Sequence, residues 1–454
     1  MRESTSIALA AVAATLMTQP VRAQQLDPLV TPPPNAVLPN ANGVPVGPFG
    51  GLEAGAYAAR VDDPSAAWFN PAGLSRATTA QISGSGGLYQ FTSVSPTSLP
   101  NSGGGLQQVP NLIGLSVRAA QTCTVGLALL TTNSWQQETD SELIFGTAAS
   151  GERFGYSADA NFTKRNLNMS AGCEHGRWRF GGGLAFTVVT LRLVDTASDR
   201  LSSATGLRTV LFSARRSGDA LQLRPILGVQ YDPSDAWRVG VVVRTPAGTL
   251  HRTGVFAADG TVQSGAASQG LSFFDDNATF TYKVPWEIQG GVAYVRPRAQ
   301  AEVDVQGFTG VSSYALLASS NPVVTYGDAG QGTLPTIQTR PFPGLISASR
   351  AIANVAAGGH YQVSANHSYL VHVGFTTDRS PVASEDQVFD RVDMYGWTLG
   401  MSGKAAKLQF AAGINFRRGT SGDIHVHDLL TGQPVVTSLK TSTTALIYSL
   451  SYEF

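Results

Sequence analysis

Charge is the first thing this sequence has little of. Its 31 basic and 31 acidic side chains amount to 14% of 454 residues, against roughly 25% in soluble proteins. The two signs balance, so there is no basic footprint for nucleic acid. Long apolar runs are missing too: no stretch beyond the N-terminus reaches the ~18 unbroken apolar residues of a spanning helix. A mean hydropathy of zero is too polar for a bundle of membrane helices and suits a wall with one greasy and one polar face. Cysteine is limited to Cys123 and Cys173, which excludes a cysteine-rich scaffold. Catalytic sets are not recognisable. No Ser/His/Asp group shows a nucleophile-elbow pattern. The glycine runs at Gly84–Gly87 and Gly181–Gly183 do not sit between a strand and a helix, as a phosphate cradle requires. His425 and His427 share one strand face beside Asp428, but a polar loop edge is the better reading than a metal site. The expectation is therefore no enzyme, no cofactor and no metal.

What is abundant is glycine, 49 residues, together with a repeated alternation of apolar and polar residues. The first 23 residues read as a secretory signal. Arg2 precedes the 11-residue run Ile7–Met17, apolar except for Thr15, and Val21-Arg22-Ala23 forms a small-residue cleavage site. Residues 24–48 are a Pro-rich extension, with seven prolines between Asp27 and Pro48 that oppose both helix and ladder. From residue 78 to 454 the alternation takes over. Leu446, Tyr448, Leu450, Tyr452 and Phe454 alternate with Ile447, Ser449, Ser451 and Glu453; Ala301, Val303, Val305 and Gly307 lie opposite Glu302, Asp304 and Gln306. Such rows mark strands with one apolar face.

Turns and alternation together give 14 strands, near 78–91, 110–119, 123–133, 157–173, 178–194, 219–232, 236–248, 280–295, 298–309, 348–363, 367–377, 390–403, 406–418 and 442–454. Short turns at Ala120-Gln121, Glu174-His175-Gly176, Pro233-Ser234, Arg296-Pro297, Asn366 and Ala405 alternate with long connections such as Gly310–Ile346 and Gly419–Thr441. An even strand count, short turns on one rim and long loops on the other describe an outer-membrane barrel, all-β and antiparallel. Lipid supplies no hydrogen bonds, so the sheet must close. Trp178, Trp237, Trp286, Trp397, Tyr448 and Tyr452 fit interfacial girdles. Cys123 opens the third strand and Cys173 closes the fourth, which brings both to one rim. A disulfide is predicted there, with two free thiols as the alternative.

The segment Gly51–Leu74 runs through Ala54, Ala56, Ala58 and Ala59 to Asp62, Asp63 and then Asn70-Pro71-Ala72-Gly73-Leu74. It resembles the start of mature FadL-type proteins, outer-membrane transporters of long-chain fatty acids and aromatic hydrocarbons. Two later stretches agree with that family: the one ending Arg238–Pro246, and the one holding Asp378, Ser380 and Pro381. The resemblance covers Gly51 to Phe454. It implies a 14-stranded transmembrane β-barrel whose N-terminal hatch, residues 49–77, plugs the lumen. Asp62, Asp63, Asn70, Pro71, Ala72 and Gly73 would belong to the hatch or gate. A hydrophobic ligand would meet a groove among the outer loops, with Leu143, Ile144, Phe145, Phe273 and Phe274 as candidates, then a lumen pocket, then a gap in the wall. The partners expected are that ligand, outer-membrane lipid and lipopolysaccharide, and the barrel-assembly machinery, with the chain a monomer. A general diffusion porin and an adhesin that binds through its long loops are the alternatives.

Overall fold

The computed structural model describes residues 40, 46–96, 103–147, 150–203, 206–264, 267–328, 336–342, 344–363, 368–386, 388–421, 424–427 and 434–454. The signal segment, most of the Pro-rich extension and the turn at Asn366 lie outside them. Two short helices come first, α1 (Pro48–Leu52) and α2 (Ala66–Phe69), then a 3₁₀ turn over Pro71–Arg76. The strands follow: β1 (Gln81–Pro96), β2 (Gly103–Arg118), β3 (Cys123–Thr147), β4 (Ser150–His175), β5 (Trp178–Ser203), β6 (Gly206–Tyr231), β7 (Trp237–Arg244), β8 (Gly248–Ser264), β9 (Ala267–Phe280), β10 (Glu287–Val295) and β11 (Ala299–Phe308). Four short strands, β12 (Val311–Ala318), β13 (Pro322–Asp328), β14 (Thr336–Pro341) and β15 (Leu345–Ser349), fill the long connection after β11. The chain finishes with β16 (Ile352–Gln362), β17 (Leu370–Asp378), β18 (Val392–Ala405), β19 (Leu408–Ser421), the hairpin β20 (Ile424–His427) and β21 (Pro434–Thr437), and β22 (Leu439–Glu453).

These strands form a closed 14-stranded antiparallel barrel. β1 pairs with β2 on one side and with β22 on the other, in the register Gln81↔Glu453 through Gly84↔Leu450, so the ring of strands closes. Two of the 14 staves are each made of two strands. β7 continues as β8, and β9 continues as β10, so β6 pairs with β7 near the short turns and with β8 farther out. Among the described residues no helix is long and apolar enough to cross a membrane.

Side chains sort by parity. In β18, Tyr395, Trp397, Leu399 and Met401 are exposed on the outside, while Met394, Thr398 and Ser402 are buried inside. β22 does the same with Leu446, Tyr448, Leu450 and Tyr452 outside and Thr443, Ser449 and Ser451 inside. An aqueous surface would not carry such a continuous aliphatic belt, and a bilayer requires one. The belt has a measurable height. Trp237 pairs with Tyr294 beside the short turns, and exposed Trp286 stands eight residues farther along the same stave. At about 3.3 Å per residue and a tilt of roughly 40°, the two aromatic levels are about 20 Å apart, close to the apolar band of such barrels.

The outer half departs from the sequence pattern. β3 to β6 run for 25–26 residues, far beyond the ~9–11 that cross a bilayer. The stretch 249–279, read as a loop, is the β8–β9 hairpin. Leu143, Ile144 and Phe145 lie in β3 rather than in a loop, and Phe273 and Phe274 lie in β9. The reason is that ladder pairing continues above the lipid, where outward residues need not be apolar and the alternation fades. Cys123 and Cys173 face each other across the β3–β4 ladder and are joined by a disulfide.

The wall's outer face gives a direct test. Replacing Leu399, 60% exposed in the middle of β18, by arginine should lower folding stability in vesicles by about 2–4 kcal/mol. The same charge at Thr325 of β13, in the long outer connection, should cost little in a urea titration.

Candidate functional site

Residues 46–77 lie across the bore and touch the inner wall on nearly every side. The docking is so close that the wall has glycine where backbone meets backbone. A Cβ on Gly181 of β5 would stand 2.2 Å from the amide nitrogen of Ala72, and one on Gly228 of β6 would stand 2.0 Å from Oδ1 of Asn70. On the far side of the ring, Gly358 of β16 and Gly374 of β17 face the backbone of Glu53 in the same manner. Ala-rich sequence explains the fit from the other partner: Ala56, Ala58, Ala59, Ala66, Ala67 and Ala72 are all fully buried, and only a methyl group fits there.

Backbone that is neither helix nor ladder must find its hydrogen bonds elsewhere, and the wall supplies them. Asp304 of β11 accepts from the amides of Tyr57 and Ala58, each at 3.1 Å, and Glu302 accepts from Ala59 at 2.6 Å. Thr398 donates to the carbonyl of Leu52 at 2.7 Å, and Asn168 to that of Ala67 at 2.9 Å. Arg244 of β7 donates to the carbonyls of Trp68 and Phe69, at the C-terminal end of α2, where a cation is favoured. Its guanidinium also covers the Trp68 ring at 4.5 Å and pairs with Glu287 at 2.5 Å.

The residues expected at the gate fall into two places. Asn70 is fully buried. Its Nδ2 donates to the carbonyls of Ala58 (2.9 Å), Val229 (3.1 Å) and Val241 (3.4 Å), and its Oδ1 accepts from Ala72 (3.2 Å), which starts the 3₁₀ turn. Pro71, Ala72 and Gly73 follow it against β4 and β5, and a Cβ on Gly73 would collide with the carbonyl of Val61. Asp62 and Asp63 sit apart from these and close on Tyr57, whose hydroxyl donates to both at 3.3 Å. Asp62 is exposed and Asp63 buried. Burial pushes the Asp63 carboxyl up to about 6, against the opposing hydrogen bonds from Ser65. Arg76 closes the segment on Asp232 of the β6–β7 turn, whose carboxyl is held below its usual range by Arg76 and Arg179 despite partial burial.

Sequence reading missed Glu53, Arg60, Arg244, Glu287, His360 and His372. The available signal was charge on the inward parity of apolar strands, as in the Glu302–Asp304–Gln306 row. What those charges would meet could not be read from the row itself.

Outward of this segment the bore turns apolar. Trp135, Phe162, Phe212, Phe256, Phe280 and Phe389 belong to one buried cluster that also contains Phe273. Phe273 stacks on Phe342 at 4.7 Å, while its neighbour Phe274 points outward, 62% exposed. Between cluster and segment lies a cavity of mixed lining, with Trp68, Tyr282, Phe308, Tyr314, Ile352 and Phe389 on its apolar side and Asn133, Lys164, Arg224, Lys283, Glu287 and Asp386 among its polar groups. The wall beside it is discontinuous. The β8–β9 ladder stops at Gly254↔Ala278 and the β7–β10 ladder begins at Arg244↔Glu287, with no ladder pairs between 245–253 and 279–286. Arg252 spans the break to the hydroxyl of Thr281 at 2.9 Å. From inside, Arg224 donates to the carbonyls of Thr245 (2.6 Å) and Pro285 (3.1 Å), which the missing ladder would leave unpaired.

By sequence, no family model and no curated protein matches this chain. By structure it is similar to a FadL homologue of Pseudomonas aeruginosa, with a TM-score of 0.59 at 13% identity over 92% of this chain and 100% of that one. It is similar also to the Pseudomonas putida toluene transporter TodX, with a TM-score of 0.58 at 14% identity over 91% of this chain and 99% of the other. The monoaromatic hydrocarbon channel CymD gives 0.52 at 14% identity, over 91% and 98%. The shared property is the fold.

Two outcomes follow for the docked segment. Asn70→Ala should cost about 1–3 kcal/mol of docking free energy through the stranded carbonyls, seen as faster hydrogen exchange over residues 70–76 with the barrel intact. The raised Asp63 value favours the protonated, docked form. That stabilisation is full below pH about 4 and is lost as pH rises through about 6. Exchange over Tyr57–Asn70, corrected for intrinsic rate, should accelerate across that window, and Asp63→Asn should remove the dependence.

Proposed function

We propose that this chain carries small hydrophobic molecules inward across a bacterial outer membrane, long-chain fatty acids or aromatic hydrocarbons being the substrate class. One observation supports this above the others. The bore is closed by a docked segment and lined above it by aromatic side chains, whereas a pore for ions or sugars needs a continuous polar, hydrated path. An oily solute gains about 25 cal/mol for each Å² it buries, so the apolar cluster collects it from water. The solved structures of like fold include proteins described as toluene transporters and as a hydrocarbon channel, not enzymes.

The route has three stations. The apolar cluster around inward-facing Phe273 forms the receiving surface; Phe274, on the opposite face of β9, stands outside it, and the side chains of Leu143, Ile144 and Phe145 lie outside the described residues. The cavity above Trp68 holds the ligand. We place the exit at the break beside residues 279–286, where the wall lacks ladder bonds to 245–253 and where exposed Leu250 and Trp286 mark the lipid boundary; a second break, between 103–111 of β2 and 131–147 of β3, is the other candidate. Residues 49–77 act as the hatch, with Asp62, Asp63 and Asn70–Gly73 as its hinge and anchor. Export by the N-terminal signal, assembly by the barrel machinery, contact with lipopolysaccharide and a monomeric state complete the reading.

The experiment is uptake by vesicles holding the purified full chain. Labelled fatty acid or toluene should enter faster than into empty vesicles, with little ion conductance. Phe389→Glu, which puts a charge in the cavity lining, should slow uptake about tenfold, as a penalty near 1.4 kcal/mol would do. Steady ion conductance without hydrophobic uptake would instead establish a diffusion pore.

A further inference from the structure

The hatch and the wall share a donor set with the geometry of a metal centre. His360 of β16 and His372 of β17 are direct cross-strand partners on the inner face. Nδ1 of each lies against the same oxygen, Oε1 of Glu53, at 2.8 and 2.7 Å. These three ligand atoms fall within 4.8 Å of one another. Ligands around a tetrahedral cation sit about 2.0–2.2 Å from it, so they stand a little over 3 Å apart. Replacing those two hydrogen bonds by one cation requires each imidazole nitrogen to draw back from the carboxylate oxygen by only a fraction of an ångström.

The surroundings fit a cation better than they fit an empty pocket. Glu53, Glu302 and Asp304 are buried around a single guanidinium, that of Arg60, which pairs with Glu53 and with Glu302 (2.9 Å). With three carboxyl groups buried around one guanidinium, the site can balance a dication by keeping its carboxylates ionised. Arg60 occupies Oε2 of Glu53, so the oxygen facing the imidazoles stays open for ligation. Ser402 meets Nε2 of His372 at 2.8 Å. A hydroxyl can donate to that nitrogen or accept from it, so it serves the tautomer of either state and orients the ring as outer partners of metal ligands do. Phe49 lies against both imidazoles, with ring centres 5.1 and 5.8 Å away, and shields them.

We infer that Glu53, His360 and His372 bind one divalent transition cation of the zinc type, with a fourth position left to water. Two imidazoles and a carboxylate suit zinc or cobalt rather than calcium or magnesium. The ion would tie the hatch to two adjacent wall strands at a single point. This goes beyond the transport reading and does not rest on it, since binding is measured without any transport.

The test uses untagged full-length protein in detergent, stripped with a chelator and titrated with Co²⁺. About one ion per chain should bind, with the ligand-field bands of tetrahedral cobalt, and Zn²⁺ should displace it. His360→Ala and His372→Ala should abolish those bands. Ser402→Ala should weaken binding about 10–100-fold. Metal should also slow hydrogen exchange over Leu52–Ala59. Should an alanine variant fail to fold, X-ray absorption of the zinc-loaded wild type decides: two imidazole nitrogens support the site, and an all-oxygen shell overturns it. No stoichiometric binding, or affinity unchanged in the histidine variants, overturns it as well.

Discussion

A hydrocarbon layer offers the peptide group no hydrogen-bonding partner, and the pairing of β1 with β22 answers that constraint for this chain. Once the first and last strands meet, every stave has two neighbours and the two faces of the wall are set by parity alone. The outside must then be apolar over the bilayer's height, and the inside is free to carry serine, threonine, asparagine and charge. Low overall charge, high glycine and a mean hydropathy of zero are consequences of that division.

A closed ring solves the edge problem and creates another, a bore wide enough for water. Residues 46–77 fill it, packing Tyr57, Val61, Phe69 and Leu74 into a small apolar cluster with Leu112 and Leu130 of the wall. Their helices have only five and four residues, too short to stand alone, so their order comes from the wall. Polar side chains on the inward parity satisfy the segment's loose amides and carbonyls one by one, and wall glycines let it approach. Asn70 is the densest node, joining Ala58 within the segment to the carbonyls of two strands. In a buried network of this kind an unsatisfied member is costly, which ties the segment's placement to the full set of wall partners.

The wall break obeys the same rule in reverse. Where the ladder between the two halves of the barrel lapses, Arg224 reaches from inside to the stranded carbonyls and is itself balanced by Glu287, which also holds Arg244 and through it α2. The docked segment and the wall discontinuity are thus connected by one chain of contacts, Trp68–Arg244–Glu287–Arg224. The cavity lies between the two.

Much of this was legible in the residues. Alternation with period two and the short turns were enough for the 14 staves, for the lipid-facing rows of β11 and β22, and for bringing Cys123 and Cys173 to one rim, because those features depend only on neighbours in the chain and on a ladder's fixed geometry. The Asn70–Leu74 motif marked the docked segment. The sequence could not reveal how far the strands rise above the bilayer, since beyond the lipid the outward face loses its apolar signature while the ladder continues. Nor could it reveal that Glu53, 307 residues from His360 and 319 from His372, would share one oxygen between them. Which inward charge meets which residue of the docked segment depends on how the ring closes and where a non-repetitive segment comes to rest inside it, and only the tertiary structure decides that.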